Sequence, residues 1–314
     1  MTLSTDIFVM SGGRALLAIV TILSNCTLVF VTIKAKNLNS TCNWLIGANS
    51  ACIAIYSFTY FVQFGIVFFS PSGIPLWQCC LLVSVPLFFM CCQYVLFSLI
   101  AFDRLIGAIF PFKQMGFRYK RRYMLFALFA SSSFGIFMVA AAFNKSLINF
   151  SENLVRCQTH DAAPDYFANC SWVLNVCSIV LYVALWVRVK LMSSSASGEI
   201  QSNEAVTRKV LFSLMVIFLV ELCGWLTTWS VKLVLTQFGV DATTQLYVLA
   251  YCIYVMQLSL ALNAPILYAL SSEYRSAFRA VLRFGTPSHP NGIIYVQPKG
   301  MNGTKTRRGA TTIS

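Results

Sequence analysis

Long apolar runs recur along the chain and are separated by short polar segments. A helix that crosses a bilayer needs about 20 apolar residues, because each backbone group left unsatisfied in lipid costs several kcal/mol. Seven such runs predict an all-α membrane protein, a seven-transmembrane helix bundle. The predicted spans are Ala15–Ile33, Trp44–Phe68, Gln78–Ala101, Tyr123–Phe143, Cys170–Lys190, Val210–Lys232 and Gln245–Leu270.

The composition supports this prediction and bounds the domains. Of the 314 residues, 58% are apolar and 11% are charged, which does not supply the polar surface of a soluble protein. We expect a short extracellular N-terminus over residues 1–13 and one membrane domain over residues 14–284, which ends in a short amphipathic helix on the membrane surface. Residues 285–314, rich in Gly, Pro, Ser, Thr and basic residues, are expected to form a disordered cytoplasmic tail.

The basic residues indicate the orientation in the membrane. With the N-terminus outside, 19 of the 23 Lys and Arg residues lie on the cytoplasmic side, all except Arg14, Lys145, Arg156 and Lys232. This is the bias of the positive-inside rule, and it predicts a multi-pass plasma-membrane protein whose partner is the lipid bilayer. The net charge of +13 does not indicate a nucleic-acid partner, because a soluble nucleic-acid-binding protein does not need such apolar runs.

Three N-glycosylation sequons agree with this orientation. They begin at Asn144, Asn149 and Asn169, in or beside the segment that is predicted to lie outside between the fourth and fifth spans. The same tripeptide pattern also begins at Asn25, inside a predicted helix, so one sequon alone carries little weight. We expect glycosylation at the three outer positions.

Two motifs stand at the ends of the third and seventh spans. The third span ends in Asp103-Arg104-Leu105, which resembles the Asp-Arg-Tyr motif of rhodopsin-like receptors with Leu in place of Tyr. The seventh span ends in the segment from Asn263 to Tyr268, which resembles their Asn-Pro-x-x-Tyr motif with the Asn one residue early. Over about residues 14–284 the chain resembles rhodopsin-like G-protein-coupled receptors, and specifically the nematode serpentine chemoreceptors of class SX.

The resemblance implies a chemosensory receptor. An extracellular small molecule or peptide would bind it, and a heterotrimeric G protein would be its cytoplasmic partner. The coupling and switching role falls on Asp103, Arg104, Asn263, Pro265 and Tyr268. Arg104 is expected to be held by Asp103 at rest and to turn toward the G protein on activation.

The resemblance also implies a disulfide between Cys79, at the outer end of the third span, and Cys157, in the second outer loop. The 24 residues from Cys79 to Asp103 suffice to span the membrane, at about 1.5 Å per residue. Cys80 and Cys170 remain alternatives, because sequence does not determine connectivity.

Some positions depart from the rhodopsin-like pattern. The second span contains no Asp between Trp44 and Tyr56, so sodium-linked regulation is not expected. Pro86 stands where amine receptors carry an acidic anchor, so a biogenic amine is not the expected ligand. The fifth and sixth spans lack proline, so a bend in either would need another cause.

Two helical faces are candidates for a ligand pocket. Glu221 lies mid-membrane in the sixth span, where an ionised carboxyl costs at least about 2.5 kcal/mol unless it is compensated. At helical spacing Glu221 shares a face of the sixth span with Trp225 and Thr228. Tyr247, Tyr251 and Tyr254 share a face of the seventh span. The predicted ligand-binding residues are Glu221, Trp225, Thr228, Tyr247, Tyr251 and Tyr254. The competing interpretation is that the tyrosines only pack and hydrogen-bond between helices.

The sequence contains no pattern typical of an enzyme site. It has no Gly-rich phosphate-binding loop and no paired-histidine metal motif, and its two histidines are assigned to opposite sides of the membrane. We therefore expect no enzymatic activity, no cofactor and no bound metal. Two other functions remain as alternatives, a membrane transporter or channel and a non-signalling seven-helix partner of other receptors.

Overall fold

The computed structural model of the chain describes residues 2–70, 72–109, 117–148, 154–195 and 201–282. Within these ranges, seven helical segments are long and apolar enough to cross a membrane, which confirms the predicted seven-helix bundle. The expected tail, residues 285–314, and the sequon at Asn149 lie outside the described residues.

The described residues form α-helices, one 3-10 helix at Lys36–Leu38 and two short strands. The elements are α1 (Thr2–Lys34), α2 (Thr41–Tyr56), α3 (Thr59–Phe69), β1 (Ile74–Pro75), α4 (Leu76–Ile109), α5 (Phe117–Ile148), β2 (Leu154–Val155), α6 (Thr159–Ala162), α7 (Phe167–Ser195), α8 (Gln201–Gln237), α9 (Ala242–Ala261), α10 (Asn263–Leu270) and α11 (Ser272–Leu282).

Helix α4 is the central helix of the bundle and contacts α2, α3, α5, α6 and α7. It carries Cys79 in its first turns and Arg104 near its last turn. We call the two ends of the bundle the disulfide end and the Arg104 end. Helix α1 begins at Thr2 and so extends through the segment that was expected to be a short N-terminus.

The seventh span is divided into α9 and α10 at Leu262. Pro265 explains the break, because proline has no N–H to donate to the carbonyl four residues earlier, that of Ala261. Helix α1 satisfies this carbonyl, since Ser24 Oγ donates to Ala261 O at 2.7 Å. Asn25 Nδ2 also donates to Leu260 O at 3.0 Å. The polar residues of α1 therefore stabilise the broken helix.

The second span is also divided, at Ser57 and Phe58, although it contains no proline. The Ser57 hydroxyl donates to Ile53 O at 2.8 Å, and the backbone N–H of Phe58 bonds to Ile55 O at 3.1 Å in a tighter turn. A serine that bonds back to its own helix in this way often bends it. The sequence analysis did not predict this break.

A disulfide joins Cys79 and Cys157, as predicted, with their Cα atoms 5.2 Å apart. Strands β1 and β2 pair antiparallel beside it, with Ile74 opposite Val155. The chain reaches β1 through Gly73, which has a φ of +96°. A Cβ at Gly73 would lie 2.8 Å from Val155 O, so this turn requires glycine.

Candidate functional site

A buried polar bridge joins α8 to the broken seventh span. Glu221 of α8 is 1% exposed, and the Asn263 side-chain amide donates a hydrogen bond to its Oε1. Asn263 is the first residue of α10, directly after the break at Leu262. The other carboxyl oxygen of Glu221 and the amide oxygen of Asn263 have no hydrogen-bond partner among the described residues. The bridge thus links two separate helices at a point where one of them is interrupted.

A small cavity of about 30 Å³ adjoins this bridge. Asn49 and Ser50 of α2 and Tyr182 of α7 line it together with Glu221 and Asn263. The Oδ1 atom of Asn49 is also without a partner within the described ranges. The cavity therefore collects unpartnered oxygens from three helices, and it has room for about two water molecules. Sequence reasoning missed Asn49, because a single amide in an apolar run gives no distinguishing signal.

An aromatic cluster lies toward the disulfide end from this bridge and consists of Tyr56, Tyr94, Phe167, Trp225 and Trp229. The Trp225 ring centroid is 4.9 Å from that of Tyr94 and 5.9 Å from that of Tyr56. Trp229 donates its Nε1 hydrogen to the Tyr94 hydroxyl at 2.8 Å and packs against Phe167. Of these residues the sequence analysis named only Trp225 as a site residue. The sequence analysis missed Trp229, although its four-residue spacing from Trp225 could have indicated that both tryptophans lie on one helical face.

The other predicted ligand-binding residues lie apart from one another. Thr228 is fully buried and donates to Gly224 O at 2.9 Å and to Cys252 O at 3.4 Å, so it joins α8 to α9. Tyr254 donates to Met10 O of α1 at 2.6 Å.

Tyr247 is partly buried, whereas Tyr251 is 65% exposed on the outer surface of the bundle. The buried face of α9 runs through Ala250, Ile253 and Gln257, to one side of the tyrosines. The structure therefore does not bring the three tyrosines of α9 together with the aromatic cluster.

At the Arg104 end, the guanidinium Nε of Arg104 lies 2.6 Å from the Cys42 thiol sulfur of α2 and donates to it. The described residues contain no ion pair within 4.0 Å between Arg104 and Asp103; the ion pair that they do contain joins Lys145, in the last turn of α5, to Asp165 at 2.8 Å. Arg104 is therefore held by a sulfur atom of another helix rather than by the expected neighbouring carboxylate.

Tyr268 and Pro265 have other surroundings. The Tyr268 ring is 39% exposed and packs edge-on against Phe278 of α11, with centroids 5.8 Å apart. Pro265 is exposed. In the described part of the chain, neither residue hydrogen-bonds to Arg104. The predicted switch residues therefore do not form a single contact network within the described residues.

Two predicted glycosylation residues are described. Asn144 near the end of α5 and Asn169 near the start of α7 are both exposed. Among the described residues, no group of three or more His, Cys, Asp or Glu side chains is arranged to hold a metal ion.

Comparison with protein-family models matches residues 18–282 to the Serpentine type 7TM GPCR chemoreceptor Srsx family. The comparison with curated proteins gives no match. The family match covers the first span from residue 18 onward and the whole of the other six, and it includes the Asp103-Arg104 pair, the disulfide cysteines and the broken seventh helix. The chain therefore belongs to the Srsx family of serpentine seven-transmembrane chemoreceptors, and it is a multi-pass receptor of the membrane.

Proposed function

We propose that this receptor converts the binding of an extracellular ligand into activation of a heterotrimeric G protein. The disulfide end faces outside and receives the ligand. The Arg104 end faces the cytoplasm and receives the G protein. The ligand changes the population of the two states of the bundle by binding one of them more tightly than the other.

The observation that carries the proposal is the contact path along α8. Trp225, in the aromatic cluster, lies one helical turn from Glu221, and Glu221 accepts the hydrogen bond from Asn263 at the start of α10. A ligand that moves the Trp225 ring shifts α8 against α10. Because α10 is separated from α9 by the break at Leu262, it can respond without moving the whole seventh span.

Arg104 is the proposed coupling residue. An arginine keeps its charge and offers a planar set of donors, so it can exchange one acceptor for another. Its present acceptor is the Cys42 sulfur, a weak one, and Asp103 beside it is partly exposed. Release of Arg104 from Cys42 would present the guanidinium to backbone carbonyls of a G protein.

The proposed orientation has its own test. If the disulfide end faces outside, oligosaccharides attached at Asn144, Asn149 or Asn169 are added in the secretory pathway. Treatment with an N-glycosidase should then lower the apparent mass of the receptor. Replacement of the three asparagines by glutamine should abolish that shift. Asn302 begins a further sequon, Asn-Gly-Thr, in the expected cytoplasmic tail, and a sugar attached there instead would indicate the opposite orientation.

The function is tested in cells that express the receptor, with a panel of small molecules and a second-messenger readout. An active ligand should lose its response when Arg104 is replaced by alanine, at matched surface expression. Arg121→Ala is the control, because Arg121 is an exposed arginine in the first turns of α5, at the same end of the bundle. Arg104→Lys asks whether charge alone suffices.

Full signalling from Arg104→Ala would remove Arg104 from the coupling mechanism. An Arg104→Lys variant that signals fully would indicate that the residue only anchors the helix end to lipid headgroups. Ion flux through purified receptor in vesicles, without added G protein, would favour the transporter or channel instead.

A further inference from the structure

A second cavity of about 30 Å³ lies at the disulfide end, away from the Glu221 bridge. Helices α1, α3 and α9 and the segment between β2 and α6 enclose it. Its polar lining includes two arginines, Arg14 and Arg156, and two amides, Gln63 and Gln158. The cavity therefore presents cationic groups and hydrogen-bond donors to whatever it contains.

Arg14 is buried without a partner for its charge. It is 6% exposed, and its guanidinium Nε has no hydrogen-bond partner in the described part of the chain. No carboxylate of the described residues lies within 4.0 Å of it. The titratable groups that interact with it electrostatically are phenols, those of Tyr56, Tyr60 and Tyr254. Buried charges in proteins are normally paired, so this guanidinium is arranged for an anion that is not part of the described chain.

Snorkelling does not account for Arg14. A long cationic side chain near a helix end usually extends its charged group to water or headgroups, and its exposed fraction is then large. At 6% exposure Arg14 has little access to the surface, and its guanidinium Nε is buried. Arg156, by contrast, is partly exposed and interacts with Asp161, whose carboxylate already accepts the Gln158 backbone N–H at 2.9 Å.

The backbone around Arg14 is held in place by α9. Tyr254 donates to Met10 O at 2.6 Å and Gln257 donates to Arg14 O at 3.3 Å, one turn apart along α1. Gly13 permits this approach, because a Cβ there would overlap the Tyr254 hydroxyl. The Arg14 side chain therefore starts from a fixed position, which lowers the entropy lost when it binds a ligand.

We propose that this cavity binds the carboxylate of a small organic acid and that Arg14 and Arg156 hold it. An arginine matches a carboxylate with two parallel N–H···O hydrogen bonds. The cavity volume of about 30 Å³ suits the two oxygens of one carboxylate, since a water needs about 10–15 Å³ on this scale. Met10, Val67 and Leu246 also line the cavity, so the remainder of the acid is apolar. This inference rests on the proposed receptor function and names its ligand class.

The test measures the thermal unfolding of the purified full-length receptor in phosphatidylcholine nanodiscs. Sodium butyrate is the probe, and butyramide and sodium chloride at equal concentration control for shape and for ionic strength. Butyrate should raise the unfolding temperature in a saturable way, and the two controls should not. In Arg14→Gln, half-maximal stabilisation should require about ten- to hundredfold more butyrate, since hydrogen bonds to a charged group are lost.

Arg14→Gln should fold, because it removes an unpaired buried charge, and its unfolding temperature without butyrate should equal or exceed that of the unmodified receptor. Arg14→Lys keeps the charge but loses the planar donors, so it provides a second variant with intermediate weakening. Arg121→Gln, at the opposite end of the bundle, is the matched control and should respond to butyrate as the unmodified receptor does.

Three results would overturn the proposal. The first is equal stabilisation by butyrate and by butyramide, and the second is an unchanged butyrate response in Arg14→Gln. The third is stabilisation by phosphatidylglycerol, dependent on Arg14, without stabilisation by butyrate. That third result would indicate a site for a lipid headgroup. The measurement contains no G protein, so it separates the two proposals. Signalling by a neutral ligand without butyrate binding would refute only this inference. Butyrate binding by a receptor that activates no G protein with any ligand of the panel would refute only the receptor function.

Discussion

Replacement of Glu221 by glutamine or by alanine separates the hydrogen bond that its carboxyl group accepts from the charge that this group can carry. Glutamine keeps an oxygen that can accept the Asn263 hydrogen bond and removes the ionisable group. Alanine removes the acceptor and enlarges the adjoining cavity, which Asn49 and Tyr182 also line. Asn263→Ala and the double variant complete a thermodynamic cycle for the hydrogen bond itself.

The two substitutions should change the free energy of unfolding by amounts that differ enough to be distinguished. Interhelical hydrogen bonds in membranes contribute about 0.6 kcal/mol on average and up to about 1.7 kcal/mol. A hydrogen bond to a charged group contributes about 1.5–3 kcal/mol. We expect Glu221→Ala to lower the free energy of unfolding by about 2–4 kcal/mol, since a buried donor and a larger cavity are left behind. We expect Glu221→Gln to be neutral or stabilising, because an ionised carboxyl at mid-membrane costs at least about 2.5 kcal/mol.

The free energies of unfolding are measured by reversible denaturation of the purified receptor in mixed micelles with increasing sodium dodecyl sulfate, because irreversible heat aggregation gives no equilibrium free energy. Glu273→Ala is the control, because Glu273 is an exposed acid of α11. A coupling below about 0.5 kcal/mol between Glu221 and Asn263 would refute the bridge. In signalling assays, Glu221→Gln should change basal or ligand-stimulated output more than it changes surface level. Unchanged response curves would leave Glu221 with a structural role alone.

Three further predictions concern contacts between segments that are distant in the sequence. Cys42→Ala should raise basal second-messenger output at matched surface level, because it removes the acceptor that holds Arg104; unchanged basal output would contradict this. Cys157→Ser should lower the free energy of unfolding by about 2–5 kcal/mol and reduce surface expression, since it opens a disulfide between residues 78 apart in the sequence; free Cys157 thiol in folded, surface-expressed receptor, found by mass mapping, would refute the pairing. Ser24→Ala should lower the free energy of unfolding by about 0.6–1.7 kcal/mol, because the Ala261 carbonyl loses its donor. An unaltered unfolding temperature would show that water replaces the Ser24 hydroxyl.

Contacts between distant residues could not be predicted from the sequence. Glu221 was identified by its ionisable group in an apolar span and Asn263 by the resemblance to the Asn-Pro-x-x-Tyr motif, yet nothing in the sequence paired them across 42 residues. Arg104 was assigned to Asp103, its neighbour in the chain, whereas its acceptor is Cys42, 62 residues away. In both cases the rotation of a helix about its axis decides the partner. That rotation depends on packing against other helices.

The sequence also left undecided which side chains are buried inside the helix bundle and which are exposed on its surface. Tyr251 was expected to face a pocket, but it is 65% exposed, because the buried face of α9 is rotated away from the tyrosines. Arg14 was counted only as one of four outer cations, and the structure buries it. An extension of α1 to Thr2, beyond the apolar run, produces this burial, since Arg14 then lies inside the helix beside α9.

The sequence by itself determined the seven spans, because a bilayer-crossing helix satisfies its backbone internally and only needs a local apolar run of sufficient length. It contains a local reason for the break at Leu262, since Pro265 has no N–H to donate, but Pro86 lies inside the unbroken α4, so a proline alone does not determine a break. The resemblance to known receptors supplied the Cys79–Cys157 pairing. Only the tertiary structure decided which buried polar groups meet, because each meeting requires two helices to approach with a particular rotation. For that reason the tertiary structure alone identified the Glu221–Asn263 bridge and the unpaired guanidinium of Arg14.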